Sequence, residues 1–435
     1  MPQLNQKLTL YGLTMIAVGG CIGSGIFRAP NDIVQAVPNA SLVLMVWGLG
    51  GVVALTGALT LAELGGMFPR AGGVYVFLKE AFGEVVGFLY GWVILLVINT
   101  GALAALALTF ADYMTFFIPL SNSGKVGLAI GTIVVLTAIN LRGVSVSQWL
   151  ANIFTGLKLL AILGIILLAF THYDSSAVPI DFSLRELPPD WRTGILVGLI
   201  GVLWSMGGWH HTSYLAGEAI NAKRNVPRAM VLGVLIVTTT YVLVNLAYMM
   251  LLSLPAIAGS SRVAGDAVAT VIPFGGRLMA LVIAVSVFGT IGIYTMSAPR
   301  IYYAMAEDGV FFKALSKIHP RFRTPVNAML LQAAWAIVLL LLWGSFEKLI
   351  RYVTFMDIIF MTLAGISIFI FRQRRPEAER PIRAWGYPFI PAIFVLISTL
   401  FVGSTLLEAP QQTLSGLAVL ASGLPFYWLF KRGVL

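Results

Sequence analysis

The chain is short of the residues on which soluble enzymes and secreted domains rely. Cysteine occurs once, at Cys21, which excludes an intramolecular disulfide; because Cys21 falls inside an apolar run, it also offers no outward thiol to a covalent partner. Charged residues are 11% of 435 positions against 58% hydrophobic ones, a balance too apolar for a soluble enzyme of this length. The only adjacent histidines, His210 and His211, face different directions on a helix and have no third ligand at suitable spacing, so no metal site is expected. No phosphate-binding P-loop occurs, which removes nucleotide-driven pumping by this chain alone.

What is present is apolar length. Mean hydropathy is +0.90, and about twelve runs are long enough to cross roughly 30 Å of hydrocarbon. They fall near 8–37, 41–68, 82–118, 126–141, 148–170, 193–222, 227–252, 276–307, 325–343, 346–372, 387–407 and 413–429. The third is longer than a bilayer needs and reads as tilted. A polar loop with Asp174, Asp181, Arg185, Glu186 and Asp190 separates the fifth from the sixth. Lys7 precedes the first run with no small-residue cleavage site after it, so the run reads as a retained helix. The expected fold class is therefore an all-α polytopic membrane protein.

Charge placement orients it. With the N-terminus inside, inner loops carry Arg70 and Lys79, Arg142, Lys223, Arg224 and Arg228, Lys313 to Arg323, Arg372 to Arg383, and Lys431 with Arg432. This positive-inside bias puts both termini in the cytoplasm of a cell bounded by its plasma membrane. The net charge of +10 is thereby absorbed by lipid topology, and no nucleic-acid partner is implied.

Two runs are interrupted. Gly23 and Gly25 flank Ser24 within the first, where each glycine costs a helix interior up to ~1 kcal/mol relative to alanine. Leu203-Trp204-Ser205-Met206-Gly207-Gly208-Trp209-His210-His211-Thr212 repeats the signature in the sixth. Unwound backbone survives in hydrocarbon only where it lines a cavity, and matching interruptions five helices apart point to a transporter built from repeats with its substrate at the midplane. The free N–H groups of Ser24, Gly25 and Ile26 would form the positive end of a half-helix suited to a carboxylate. Carbonyls near Val18, Gly19, Trp204, Ser205 and Gly207 would suit an ammonium. A zwitterionic α-amino acid satisfies both.

The same stretches resemble the amino acid/polyamine/organocation transporter superfamily, and within it the L-amino-acid transporter branch. The matching text is Ile22 to Phe27 with Pro30; Ala62-Glu63-Leu64-Gly65, Gly72-Gly73-Val74-Tyr75 and Glu80 to Gly83; Gly207-Gly208-Trp209 with Glu218, Asn221, Arg224-Asn225 and Pro227; and Ser297 to Arg300 with Asp308-Gly309, His319-Pro320 and Thr324-Pro325. The resemblance implies a five-plus-five inverted repeat with discontinuous first and sixth helices. Residues 1–375 would form a ten-helix core, with repeats 1–171 and 192–375, and 376–435 two further helices. It implies sodium-independent exchange of amino acids by alternating access. Ser24 and Gly25 would bind the carboxylate, the Ile22 and Trp204 carbonyls the amine, and the Trp204 ring would gate the site. Branch members joined to a heavy subunit carry a cysteine between helices three and four; Ser121 to Lys125 has none, so no such subunit is expected.

Lys158 lies about ten residues into the fifth run, near mid-membrane, where a lysine costs at least ~2.5 kcal/mol and must face the bundle interior. In similar transporters a lysine here takes the volume and charge of a sodium ion, bonded to carbonyls near the first break and to Ser286 or Thr290. Met206 and His210 are read as pocket wall, and Glu63 and Glu218 as latches toward arginines such as Arg300. With no acid at either break, small or medium neutral substrates are expected over cationic ones. Other classes fit less well. The glycine run lacks a dinucleotide-binding register and a βαβ unit; the charge-poor helices offer no catalytic constellation and imply no cofactor; a channel would show polar rings. Proton-coupled symport and amino acid sensing without transport need the same pocket and stand as alternatives to exchange.

Overall fold

The computed structural model describes residues 3–184, 187–343, 346–408 and 410–432; Arg185 and Glu186 of the expected polar loop lie outside them. The first apolar run is two helices, α1 (Leu10–Cys21) and α2 (Gly25–Ala36), bent by 44° at the intervening break. Thr9 starts α1 by accepting the Gly12 N–H on its hydroxyl at 3.1 Å, which satisfies one of the donors that a helix start leaves free. Asn39 does the same for α3 (Ala40–Met67) through the Leu42 N–H. A short interfacial helix, α4 (Val74–Phe82), precedes the long third span.

That span is not a plain tilted rod. It runs as α5 (Glu84–Val93), a π-helical turn at Ile94–Ile98, and α6 (Asn99–Met114). The Thr100 hydroxyl donates to the Leu95 carbonyl five residues back, and the Trp335 indole N–H takes the Leu96 carbonyl. Side-chain donors thus occupy carbonyls that the wider turn loosens. The extra residue per turn rotates Ile94, Ile98 and Asn99 toward the breaks.

There follow α7 (Asn122–Asn140), α8 (Val144–His172), α9 (Trp191–Ser205), the single turn α10 (His211–Tyr214) and α11 (Ala222–Leu251). Two short helices, α12 (Leu254–Gly259) and α13 (Val263–Ala269), cap the face opposite the N-terminus. The chain finishes with α14 (Gly275–Ser297), α15 (Pro299–Glu307), α16 (Val326–Trp343), α17 (Phe346–Arg374), α18 (Phe389–Glu408) and α19 (Pro410–Lys431). Among the described residues nine spans are long and apolar enough to cross a membrane, and the α1–α2 pair makes a tenth. The shorter apolar helices α9 and α16 stand where the sixth and ninth crossings are expected. The protein is an all-α polytopic membrane protein.

Its helices are apolar on both sides, as lipid requires. On α8, Trp149, Leu160, Leu167 and Phe170 are exposed while Ser147, Thr155 and Lys158 are buried. Lys158 therefore faces the bundle, as its cost in hydrocarbon dictates.

The face that carries the N-terminus is closed by buried ion pairs. Arg300 meets Glu218 in a two-pronged pair at 2.8 and 2.9 Å, and both side chains are sealed from solvent. The peptide of Glu218 in turn accepts the Lys7 and Leu8 N–H groups at 2.9 Å, and Ile220 donates back to Leu8. Glu63 takes Arg372 on both oxygens, Arg380, and the Ala384 amide at 2.7 Å. Nearby, Asp308 holds Lys79 and the Tyr75 hydroxyl at 2.8 Å; burial, and then the Asp308 carboxylate, raises the Tyr75 phenol and keeps it a donor. The expected latches on Glu63 and Glu218 are thus both built, with Arg300 on Glu218 and a second arginine cluster on Glu63.

Removing one member of a buried pair strands the other, which typically costs about 3–5 kcal/mol. Arg300→Ala should therefore lower the melting temperature in detergent sharply, and the paired change Glu218→Leu with Arg300→Met should lower it less than Arg300→Ala alone. Equal losses in the two proteins would show that the pair's charges do not set its importance.

Candidate functional site

Both predicted breaks exist, and they lie against each other. α1 ends at Cys21, α2 starts at Gly25, and Ser24 caps α2 without a side-chain bond. Among the described residues no hydrogen bond engages the N–H groups of Ser24, Gly25 or Ile26, the open donors of a helix start. In the sixth span α9 stops at Ser205 and the chain turns through Met206 to His210. Gly208 sits at φ +111, and a Cβ there would come 2.5 Å from the Gly20 carbonyl oxygen. Only glycine lets the two broken segments approach so closely. A Cβ on Gly25 would likewise meet the Ser205 hydroxyl at 2.5 Å.

The carbonyls released at the first break are not all open. Lys158 reaches Gly19 O at 2.9 Å, Ile22 O at 2.7 Å and the Thr290 hydroxyl at 2.8 Å, three acceptors for the three donors of an ammonium. Thr290 itself lies 3.1 Å from each of the same two carbonyls, and the Ser286 hydroxyl donates to Ile22 O at 3.3 Å. The Lys158 role expected by resemblance thus has its geometry in place, with Thr290 as the direct partner and Ser286 acting on the carbonyl. The same contacts occupy Ile22 O. Tyr241, on α11, sets its hydroxyl 3.0 Å from both Cys21 O and Ser205 O, so one phenol ties the two breaks together.

Between the breaks lies a cavity of about 80 Å³. Its walls are Gly20, Cys21 and Gly23 to Gly25 of the first break, Ile94, Ile98, Asn99, Ala102 and Leu106 of the third span, Trp204, Ser205, Gly207, Gly208, His210 and His211 of the sixth, Thr290 and Tyr294 of α14, and Asp357 and Ile358 of α17. Of the sequence-predicted residues, Ser24, Gly25, Trp204, Ser205, Gly207 and His210 come together on this cavity. Ile22 and Ile26 are buried behind the break, and Met206 lines an adjoining cavity instead. Lys158 braces the break from behind and does not line the cavity.

His211 is held by a 2.6 Å bond to the Ser297 hydroxyl, whose own hydrogen goes to Ile293 O, which makes Nδ1 the donor. Its ring lies against Tyr294 at 4.3 Å between centroids. No group of three metal-binding side chains occurs among the described residues. Three contributors were not singled out as site residues by the sequence. Tyr241 and Tyr294 look like packing aromatics in an apolar run. Asp357 stands in a span whose first turns already carry Glu347, Lys348 and Arg351, so its charge did not mark it as Lys158 was marked.

Comparison with known proteins agrees with this geometry. Residues 8–428 match the family model described as amino acid permease. The chain belongs to that family. It is 33% identical over 427 residues to the serine/threonine exchanger SteT of Bacillus subtilis (strain 168), covering 97% of this chain and 96% of that protein. The human b(0,+)-type amino acid transporter 1 is 30% identical over 98% of this chain and 88% of its own length. The mouse large neutral amino acids transporter small subunit 2 is also 30% identical, over 98% and 81%. The permease is accordingly an amino acid transporter of the superfamily and branch that its motifs resemble, and its relatives are transporters rather than enzymes.

Two substitutions test the cavity's construction. Gly25→Val places a branched Cβ against Ser205 and should abolish amino acid binding, seen as loss of any ligand-induced rise in melting temperature, with the monodisperse elution profile kept. Lys158→Met leaves two buried carbonyls without a charged donor. It should cost on the order of 1.5–3 kcal/mol of stability and weaken binding at least tenfold. A Lys158→Met protein with wild-type melting and affinity would remove Lys158 from this account.

Proposed function

We propose that this permease is a sodium-independent exchanger of small neutral L-amino acids, working by alternating access in the cytoplasmic membrane with both termini inside. The observation that carries the reading is the cavity between the two breaks, where the unbonded amides of Ser24 and Gly25 adjoin the broken end of α9. A carboxylate is stabilised at such a half-helix start, and the amine is received on the side of the Gly207 carbonyl, the Trp204 carbonyl already accepting the Gly207 N–H at 3.2 Å. The Ile22 carbonyl acts in this scheme through Lys158, holding the first break in its unwound shape rather than taking the amine itself.

Sodium independence follows from the same lysine. Its Nζ already fills the space between Gly19 O, Ile22 O and Thr290, where a cation would otherwise have to bridge α1 and α14. With the inverted-repeat division at 1–171 and 192–375, and residues 376–435 as an appended pair of helices, the first, second, sixth and seventh spans (α1–α2, α3, α9–α10 and α11) move against the remainder. Trp204 lines the cavity and is half-buried, as a gate ring must be when it covers and uncovers a ligand. The bacterial relative, a serine/threonine exchanger, supports exchange, and the mouse relative, a small subunit of a large neutral amino acids transporter, supports neutral substrates. A covalently attached heavy subunit has no anchor in this sequence, since Cys21 is buried.

Proteoliposomes decide the matter. Labelled alanine or serine should enter vesicles preloaded with a neutral amino acid and stop entering empty ones, with sodium replaced by choline making no difference. Accumulation into empty vesicles driven by an imposed pH gradient would replace exchange with proton symport. Binding without any label movement would replace transport with sensing.

A further inference from the structure

The backbone clamp comes from α1–α2 and from the α9–α10 break, yet the third span, α14 and α17 also wall the cavity, and of these α17 alone brings a charged side chain. α17 contributes Asp357 and Ile358 to the wall. Asp357 Oδ1 is shielded from solvent and has no hydrogen-bond partner among the described residues, and none of their ion pairs reaches it. A buried acceptor left unmade typically costs about 1–3 kcal/mol, so native structures retain one mainly where something else completes it. Asp357 also faces the adjoining cavity of about 80 Å³ beyond Gly207 and His210. It therefore stands where space continues past the clamp, in the direction left open to a substrate's side chain.

We propose that Asp357 is the specificity-determining acceptor for a hydroxyl on a short substrate side chain. The inference rests on the amino acid exchange reading and deepens it: among neutral amino acids, the permease selects those with a side-chain O–H. Chemistry and size both enter the choice. The Asp357 carboxyl keeps an oxygen that accepts a hydroxyl hydrogen whether it is ionised or neutral, so an aliphatic side chain leaves Oδ1 as orphaned as the empty cavity does. Asp357 already lines the first cavity of about 80 Å³, room for about five to eight water-sized centres at roughly 10–15 Å³ each, so a short side chain reaches it without entering the second cavity. Sequence reasoning found no acid at either break and took that as favouring neutral over cationic substrates; the acid exists on α17, within reach of the hydroxyl of a short side chain.

The experiment uses isosteric substrate pairs that differ only in the donor: serine against 2-aminobutyrate, and threonine against valine, each measured as dissociation constant and as counterflow in proteoliposomes. A site built to bond a hydroxyl rejects the analogue that lacks it, and a bond to a charged acceptor corresponds to about tenfold or more. The wild-type protein should favour serine and threonine by at least that factor. In Asp357→Ala and the closer-sized Asp357→Leu, neither of which offers an acceptor, the ratio within each pair should fall to within about threefold. Wild-type ratios near one, or ratios unchanged in either folded variant, overturn the proposal, and the wild-type pairs decide it alone if neither variant folds. Lysine preferred over norleucine with no threonine preference over valine overturns it in favour of an ammonium. Failure of every amino acid, alanine included, to bind or exchange overturns the exchange reading itself, whereas exchange without hydroxyl selection overturns only this inference.

Discussion

Everything in the site depends on how this fold satisfies peptide groups that it has released inside hydrocarbon. An unpaired N–H or C=O there costs several kcal/mol, and the first break releases several within Gly19 to Ile26. The solution is asymmetric. The carbonyl side is closed from within the protein by Lys158, Thr290, Ser286 and Tyr241, while on the amide side no described group bonds the N–H groups of Ser24 to Ile26. The break is thus braced on the side that defines its shape and open on the side where half-helix N–H groups favour negative charge. A helix with both sides satisfied would be stable and inert.

The lysine brace also links distant elements. α8 supplies the ammonium, α1 the carbonyls and α14 the hydroxyls, so the three cannot separate without exposing a charge to the membrane interior. Tyr241 adds α11 and the sixth span to the same knot through one hydroxyl. At the N-terminal face the buried Glu218–Arg300 pair attaches the loop after α10 to α15, and the Glu218 peptide attaches it to the residues before α1. Any motion that opens the cavity toward that face must therefore pull on a buried ion pair and on a short run of backbone bonds together. Such a coupling makes intermediate states costly and favours a switch between discrete arrangements.

Legibility in the sequence followed the rarity of each signal in its surroundings. Glycine pairs and a lone lysine are conspicuous in apolar runs, so both breaks and Lys158 could be located, and the latch acids could be assigned to the basic face because charge collects there. The π-turn at Ile94–Ile98 left no such mark, since its residues are ordinary span residues and the extra turn is set by packing against Trp335 and by Thr100. The third span therefore read as excess length to be tilted away. Ile22 shows a different limit. Its carbonyl was a candidate both for the amine and for Lys158, and sequence offers no distances with which to choose; in the fold, Lys158, Thr290 and Ser286 crowd that one oxygen.

Asp357 shows the converse. A charge in the middle of a span should be as visible as Lys158, yet it stands six residues after Arg351 in a helix that begins with charges of both signs, and a helix with charged ends shifts the apparent boundary of its apolar part. What separates an interfacial acid from a buried one is its partner. Glu63 and Glu218 are each met by arginines, as acids at a basic face must be, whereas the described surroundings of Asp357 supply none for Oδ1. Two acids with partners close the molecule, and one without a partner stands on the wall of its cavity. The arginines that meet these acids stand at the N-terminal face, Arg300 on Glu218 and Arg372 with Arg380 on Glu63, and none of them reaches Asp357 on the cavity wall.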